Sequence, residues 1–458
     1  MIKPKVFQSL PCLTEISPYL YGKGLIKSWF KGGDKRHIEK LFFDFVSINS
    51  DAFNFLKITP FISDSKSNIK LSFRTTNYIG AIPLRSPLNG REMADFIVYP
   101  RYINRDENLN DYIQLVYLLK EYIQPEFNFS FELISNDQAR PPLFFECVKF
   151  IDILFKSINE NWRKFSSMIN IYNFPKGIIS WRDYIKNEWN PEKRILYPCK
   201  TNILSENHKD NQFIAYVYKL AKEKIFTPST PLSLKNKVWK KITYIDKYFS
   251  TIIPLTTNKL TFRNSDPKII KDLKQQGNKI LNYDILANKA WRVDFSLIFE
   301  RYVQHLFHNL CVNFGFHYKN NPRLDKQSYR SPQWVLNYLE PDMYIYKENL
   351  SIFIDAKYKS HLYNLSSRSE FLIEEHRSDI HQISAYCAFE KTDHKIGVLC
   401  YPSNKFSSYK IQYKNRINSA NLVIFLLGIP ITSQNIKGVE DNLKYKFINI
   451  INSHAEKS

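Results

Sequence analysis

The chain has 458 residues, 44% hydrophobic and 24% charged, the profile of a folded protein with room for two or three domains and a sizeable core. No apolar run reaches the length of a membrane span and the start, MIKPKVFQSLPCLTEI, lacks a signal-peptide apolar core, so we expect a cytoplasmic protein with no membrane partner. Six cysteines without CxxC or CxxH spacing argue against zinc and against a disulfide framework, while a net charge of +21 permits a polyanionic partner such as DNA without identifying one.

In chain order, residues 1–102 read as mainly β, with runs at Leu41–Ile48, Ile69–Phe73, Tyr78–Leu84 and Asp95–Tyr99. NYIGAIPL (77–84) and FIVYPR (96–101) form a candidate strand pair. Helical spacing follows over Asn108–Tyr122, then a turn-rich piece at Ser135–Pro142 and a long helix from Leu143 to about Ile171. FPKGIISW (174–181) turns into a short strand, and Asp210–Ile225 is an amphipathic helix with Asp210 as its cap. After the proline-rich FTPSTP break, read as a hinge, come helices at Leu232–Ser250, from Asp266-Pro267, at Tyr283–Lys289 and at Asp294–Asn313. Two strands joined at Lys347–Asn349 follow, then a polar, mobile stretch Ser360–Ser378, a helix Asp379–Glu390, a buried strand Lys395–Tyr401 and a last strand Leu422–Leu427. The order helix, strand, strand, helix, strand describes an α/β domain with a mixed central sheet over 291–458. It is preceded by a β-rich then helical region (1–172) and a mainly helical middle region (173–290).

The chemistry concentrates in YLEPDMYIYKENLSIFIDAKYK (338–359). Strand alternation puts Asp342, Tyr344 and Tyr346 on one face of the first strand and groups Phe353, Asp355, Lys357 and Lys359 on the second. Two carboxylates side by side repel, and a divalent cation with oxygen ligands relieves them. A hard metal so held activates water and stabilises a phosphorane-like transition state, with Lys357 orienting the water. The bare spacing also fits a surface hairpin with a salt bridge. An ionised Asp and Lys inside the largely apolar run Ser351–Tyr358 are costly to bury without a task. Pro-Asp, a hairpin and Asp-x-Lys together resemble the catalytic hairpin of the PD-(D/E)xK nuclease superfamily.

In that superfamily a preceding helix adds a carboxylate to the metal site, and Glu300 in LIFERYV stands there. Gln382-x-x-x-Tyr386 lies on one helix face and is similar to the Gln-x-x-x-Tyr helix of RecB-like members, which contacts DNA or supports the metal shell. Taken singly, Glu300 also reads as a solvated helix-face residue and the Gln/Tyr pair as ordinary packing. LIFERYV, LEPDMYIY, IFIDAKYKS, DIHQISAY and VLCYP follow one another as in McrC, the nuclease subunit of McrBC-type modification-dependent restriction systems. More faintly, NYIGAIPL with FIVYPR resembles the family's N-terminal Tyr-Val-Gly segment and its Pro-Lys end, with Arg101 where Lys is usual. PKGIISW and NHKDNQFI resemble its central strand and helix start.

The resemblance implies a Mg²⁺-dependent DNA endonuclease, Mn²⁺ being an alternative, that works with a hexameric AAA+ motor of the McrB type and stimulates its nucleotide hydrolysis. Asp342 and Asp355 would bind the metal with the Ala356 carbonyl, and Lys357 would position the attacking water. Glu300 would extend the carboxylate shell, and Gln382, Tyr386 and Lys359 would contact DNA or support the site. No GxxxxGK[ST] occurs in the sequence, so the motor is a separate polypeptide. Two other readings fit the same residues. One is a stand-alone RecB-like repair or recombination nuclease, which a motor gene beside this one would disfavour. The other is a regulatory subunit with a lapsed site, against which the intact Asp, Asp, Lys set argues.

Overall fold

The computed structural model describes residues 6–8, 13–16, 29–30, 35–65, 68–99, 115, 119, 125–133, 143–325, 332–333, 335–359, 361–363, 365, 369–414, 421–431 and 435–455, except positions 161, 188, 229, 231 and 393. Contacts divide the chain into two compact units, residues 1–141 with 288–458, and residues 142–287.

The first unit opens with β1 (Val6–Gln8), β2 (Leu13–Ile16), α1 (Lys35–Ile48), α2 (Ser50–Leu56), β3 (Thr59–Ser65), β4 (Asn68–Arg74), β5 (Tyr78–Arg85), β6 (Glu92–Tyr99) and β7 (Glu126–Glu132). The NYIGAIPL and FIVYPR segments pair antiparallel, Gly80 opposite Val98 and Ile82 opposite Phe96. The expected strand Leu41–Ile48 is instead the second half of α1. Ile38, Leu41, Phe42 and Phe45 are all buried, and their three- and four-residue spacing lets one helix face reach a core that a strand would split between two faces. That core is aromatic: Phe30, Phe42, Phe45, Phe53, Phe73 and Phe96 meet at tilted or edge geometries, with Phe30 and Phe42 ring centroids 4.9 Å apart. Of the expected helix Asn108–Tyr122, only buried Leu115 and Leu119 are described; Arg101 and the turn Ser135–Pro142 lie outside the described residues.

The second unit comprises α3 (Phe144–Ile158), β8 (Lys164–Tyr172), β9 (Ile178–Ile179), α4 (Trp181–Asn187), β10 (Tyr197–Ser205), α5 (Lys209–Ile225), α6 (Leu232–Phe249), α7 (Lys268–Leu281) and α8 (Tyr283–Ala287). The helix expected to run from Leu143 to Ile171 stops at Ile158. Beyond it, KFSSMINIY is a strand, paired antiparallel with β10 from Lys164–Ser205 to Tyr172–Tyr197. Asp210 does not cap α5. His208 does, its Nδ1 accepting from the Asn211 amide at 3.2 Å. Asp210 is buried and paired: Lys164 Nζ lies 2.6 Å and Lys274 Nζ 3.2 Å from its Oδ2, and both lysines also reach Asp266. The two lysines balance the two aspartates of this cluster, so neither buried carboxylate is left without a counter-charge.

The chain then returns to the first unit through β11 (Lys289–Asp294), which inserts between β5 and β7 in the order β1-β6-β5-β11-β7. Lys289, expected in a helix, is thus the first residue of a strand. Gly80 makes the insertion feasible: a Cβ there would lie 2.0 Å from the Trp291 carbonyl oxygen. Asp294 caps α9 (Phe295–Phe314) by accepting from the Ser296 amide at 2.9 Å. β12 (His317–Asn320), β13 (Leu324–Asp325), β14 (Tyr338–Leu339), β15 (Met343–Lys347), β16 (Leu350–Ala356), α10 (Glu370–Ala388), β17 (His394–Pro402), β18 (Ser407–Lys414), β19 (Asn421–Ile429) and α11 (Ile436–Ala455) follow. Six of these strands form one mixed sheet, β12-β15-β16-β17-β19-β18, parallel from β16 through β17 to β19 and antiparallel elsewhere. The polar stretch expected over Ser360–Ser378 is largely helical, α10 beginning at Glu370. Its Ile383 packs on Gly397 of β17, where a Cβ would come within 2.8 Å of Ile383.

Candidate active site

The hairpin forms where the sequence indicates. Met343 pairs with Ile354 and Tyr344 with Phe353, whose rings stack 4.8 Å apart, so one further step along the ladder sets Asp342 opposite Asp355. The Ala356 amide donates to Asp342 Oδ2 at 2.6 Å and ties the two strand ends together. Asp355 is the next-to-last residue of a strand whose residues 351–354 are fully or nearly fully buried, and is itself 2% exposed; Asp342 is half-buried.

Two carboxylates in this setting resist ionising. Burial, then the charges of Asp355 and Glu300, push the Asp342 carboxyl up to about 8. Burial also raises Asp355, against the opposing pull of Lys357. Lys357 Nζ lies 2.6 Å from Asp355 Oδ2, an ion pair at the buried end of the hairpin. The ammonium also donates to Gln382 Oε1 at 2.8 Å.

Gln382 in turn donates to the Tyr386 hydroxyl at 2.6 Å, and that hydroxyl donates to the Glu340 carbonyl at 3.2 Å. The expected i, i+4 pair on α10 therefore connects Lys357 to the strand end that carries Asp342. Downstream, the Lys357 amide donates to the Cys400 carbonyl at 2.8 Å and Tyr358 is buried against Phe295 and Phe299 of α9. Lys359 reaches Asp379 Oδ1 at 2.8 Å, while Tyr401 donates to the other oxygen of this buried carboxylate at 2.9 Å. Asp379, expected only as the start of a helix, lies one helical turn ahead of Gln382 and so on the same side of α10.

Glu300 faces this region from α9. Its Oε1 accepts from Asn321 Nδ2 at 2.9 Å and from Gln304 Nε2 at 3.2 Å. Among the described residues, no group of three His, Cys, Asp or Glu side chains comes together as a metal cage. The donor set on offer is two carboxylates and the Ala356 carbonyl, with Glu300 one hydrogen-bonded layer out. Oxygen donors, two of them carboxyls whose pKa is raised by burial, are of the kind that hold a hard divalent cation.

A family model for a McrBC 5-methylcytosine restriction system component matches residues 73–402. No curated protein matches the chain. Among solved structures, the chain is similar to one in a refined half-complex from the tetradecameric assembly of Thermococcus gammatolerans McrB AAA+ hexamers with bound McrC. That likeness has 14% identity and a TM-score of 0.46, and covers 98% of this chain and 100% of the other. A chain of the cryo-EM Thermococcus gammatolerans McrBC complex is similar at 12% identity and a TM-score of 0.27, over 67% of this chain and 88% of that one. Neither structural likeness is strong enough to bear on function, whereas the family match takes in well over half of the residues, the hairpin, α9 and α10 among them. The chain belongs to the family of McrBC 5-methylcytosine restriction system components.

Proposed function

We propose that this chain is the DNA-cleaving, McrC-type subunit of a cytoplasmic McrBC restriction system, with a nuclease site of the PD-(D/E)xK kind at the hairpin. The observation that carries the reading is the buried Asp355, ion-paired with Lys357, opposite an Asp342 whose carboxyl is lifted to about 8. A fold does not retain such a pair for stability, since an apolar pair would be cheaper to bury. Asp342, Asp355 and the Ala356 carbonyl would hold Mg²⁺ or Mn²⁺, which when bound supplies positive charge at the scissile phosphate and lowers the pKa of water. Lys357, fixed by Gln382 and drawn towards Asp355, is aimed to orient the attacking water and to offset charge developing on the phosphate. Lys359, anchored on Asp379, keeps further N–H donors free for the DNA backbone.

The partner reading comes from the family, whose resemblance implies a motor of the McrB type. With no Walker A sequence of its own, this chain would dock on a separate AAA+ hexamer and stimulate its hydrolysis. The test is cleavage of methylated plasmid by the purified chain with its motor in Mg²⁺. Asp355→Ala and Lys357→Ala should each abolish cutting while still raising the motor's nucleotide turnover. Cutting by either variant, or by the wild type in excess EDTA, would overturn the assignment.

A further inference from the structure

The carboxylate behind the hairpin is held by a bracket of two amides. Asn321 sits in the turn after β12 and adopts the left-handed conformation, φ 45°, which Asn tolerates better than most residues. Its backbone amide donates to the Asp342 carbonyl at 3.0 Å, and its side-chain Nδ2 donates to Glu300 Oε1 at 2.9 Å. Gln304, 3% exposed, shares the two N–H groups of its Nε2 among three acceptors, the same Asp342 carbonyl at 2.8 Å, Asn321 Oδ1 at 2.9 Å and Glu300 Oε1 at 3.2 Å.

The orientation of both amides is dictated rather than arbitrary. Arg301 can only donate, and its NH1 meets Gln304 Oε1 at 2.8 Å and Asn321 Oδ1 at 3.1 Å. With both oxygens committed to Arg301, both amide nitrogens must face the carboxylate and the Asp342 carbonyl. Flipping either would set a nitrogen against the guanidinium.

We infer that Asn321, supported by Gln304, is a positioning residue of the hairpin site, holding the Glu300 carboxylate and the Asp342 backbone in one frame. This inference rests on the metal-dependent nuclease reading above. The bracket links the helix carboxylate to the strand end that presents Asp342, so the two approach a cation together. Without it, Glu300 keeps its charge but loses its bearing. Partners of this kind, one layer behind the ligands, typically contribute about 10- to 100-fold in metal affinity or activity.

The variant that separates positioning from backbone support is Asn321→Gly, since Gly accepts a left-handed φ and removes only the amide. The readout is Mn²⁺ binding to the purified full-length chain, by calorimetry and by the loss of the free-ion resonance signal, beside thermal unfolding without metal. Asn321→Gly should weaken Mn²⁺ binding about ten-fold while leaving metal-free unfolding close to wild type. In a Glu300→Gln background the same change should add less than about two-fold, because the amide acts through that carboxylate. Gln304→Met provides a second variant with the same expected direction. Wild-type Mn²⁺ affinity in Asn321→Gly, or an undiminished effect in the Glu300→Gln background, would overturn the inference. So would loss of folding by both Asn321→Gly and Gln304→Met, which would make the pair structural. Asp355→Ala is the control on the underlying reading: if it binds Mn²⁺ as the wild type does, the hairpin is not the metal site and both proposals fall. If Asp355→Ala loses the metal and Asn321→Gly does not, only the bracket falls.

Discussion

Replacing Asp342 with Asn should stabilise the metal-free protein at pH 8 while removing its response to Mg²⁺. The carboxyl is lifted from its ordinary value near 3.8 to about 8 by burial and by the charges of Asp355 and Glu300. A carboxyl less acidic in the fold than in the unfolded chain contributes stability that is full below about pH 4 and is lost as pH rises towards 8. At about 1.4 kcal/mol per pH unit, this sets a ceiling near 6 kcal/mol. Asp342 is only half-buried, so solvent screening and local relaxation reduce the expected gain to about 2 kcal/mol. Asn can still accept from the Ala356 amide through its carbonyl oxygen, so the strand ends stay tied. Urea unfolding at pH 5 and pH 8, with EDTA and with Mg²⁺, checks this. Without metal, wild type should lose stability between the two pH values and Asp342→Asn should lose much less. With Mg²⁺ at pH 8, wild type should regain stability and the variant should not. An Asn variant no more stable than wild type at pH 8 in EDTA would refute the reasoning.

Gln382→Ala removes the acceptor that holds Lys357; cleavage at saturating Mg²⁺ should fall about ten-fold or more, with Mn²⁺ affinity kept, and a loss confined to metal affinity would assign Gln382 to the ligand shell instead. Gly80→Ala should destabilise the first unit by about 3 kcal/mol or more, because β5 and β11 cannot both keep their places around an added Cβ. Denaturant midpoints with unchanged Mn²⁺ binding per folded molecule would check that this cost is purely structural.

The hairpin was legible because everything it needs is local. Alternation fixes which side chains share a face, and a two-residue turn fixes the register, so the Asp342–Asp355 opposition follows from counting. The same counting misread Leu41–Ile48, since LFFDFVSI satisfies strand composition and only the spacing from Ile38 onward reveals the helix. Asp210 has the chemistry of a helix cap, and nothing near it in sequence announces Lys164 or Lys274, which reach it from 46 and 64 residues away. Asn321 and Gln304 carry no motif. The pairing of β12 with β15 brings the turn after β12 alongside Asp342, and that pairing is a tertiary fact. The border between the units was hidden for a related reason: β11 looks like the lead-in to α9, but it pairs with β5, some two hundred residues earlier.

The most direct measurement is a diffraction experiment on the protein soaked in Mn²⁺, read at the manganese absorption edge. The account predicts one anomalous peak at the end of the hairpin, within about 2.0–2.4 Å of Asp342, Asp355 and the Ala356 carbonyl oxygen, and no peak there in Asp355→Ala. A peak elsewhere in the wild type, with this corner empty at saturating Mn²⁺, would contradict it.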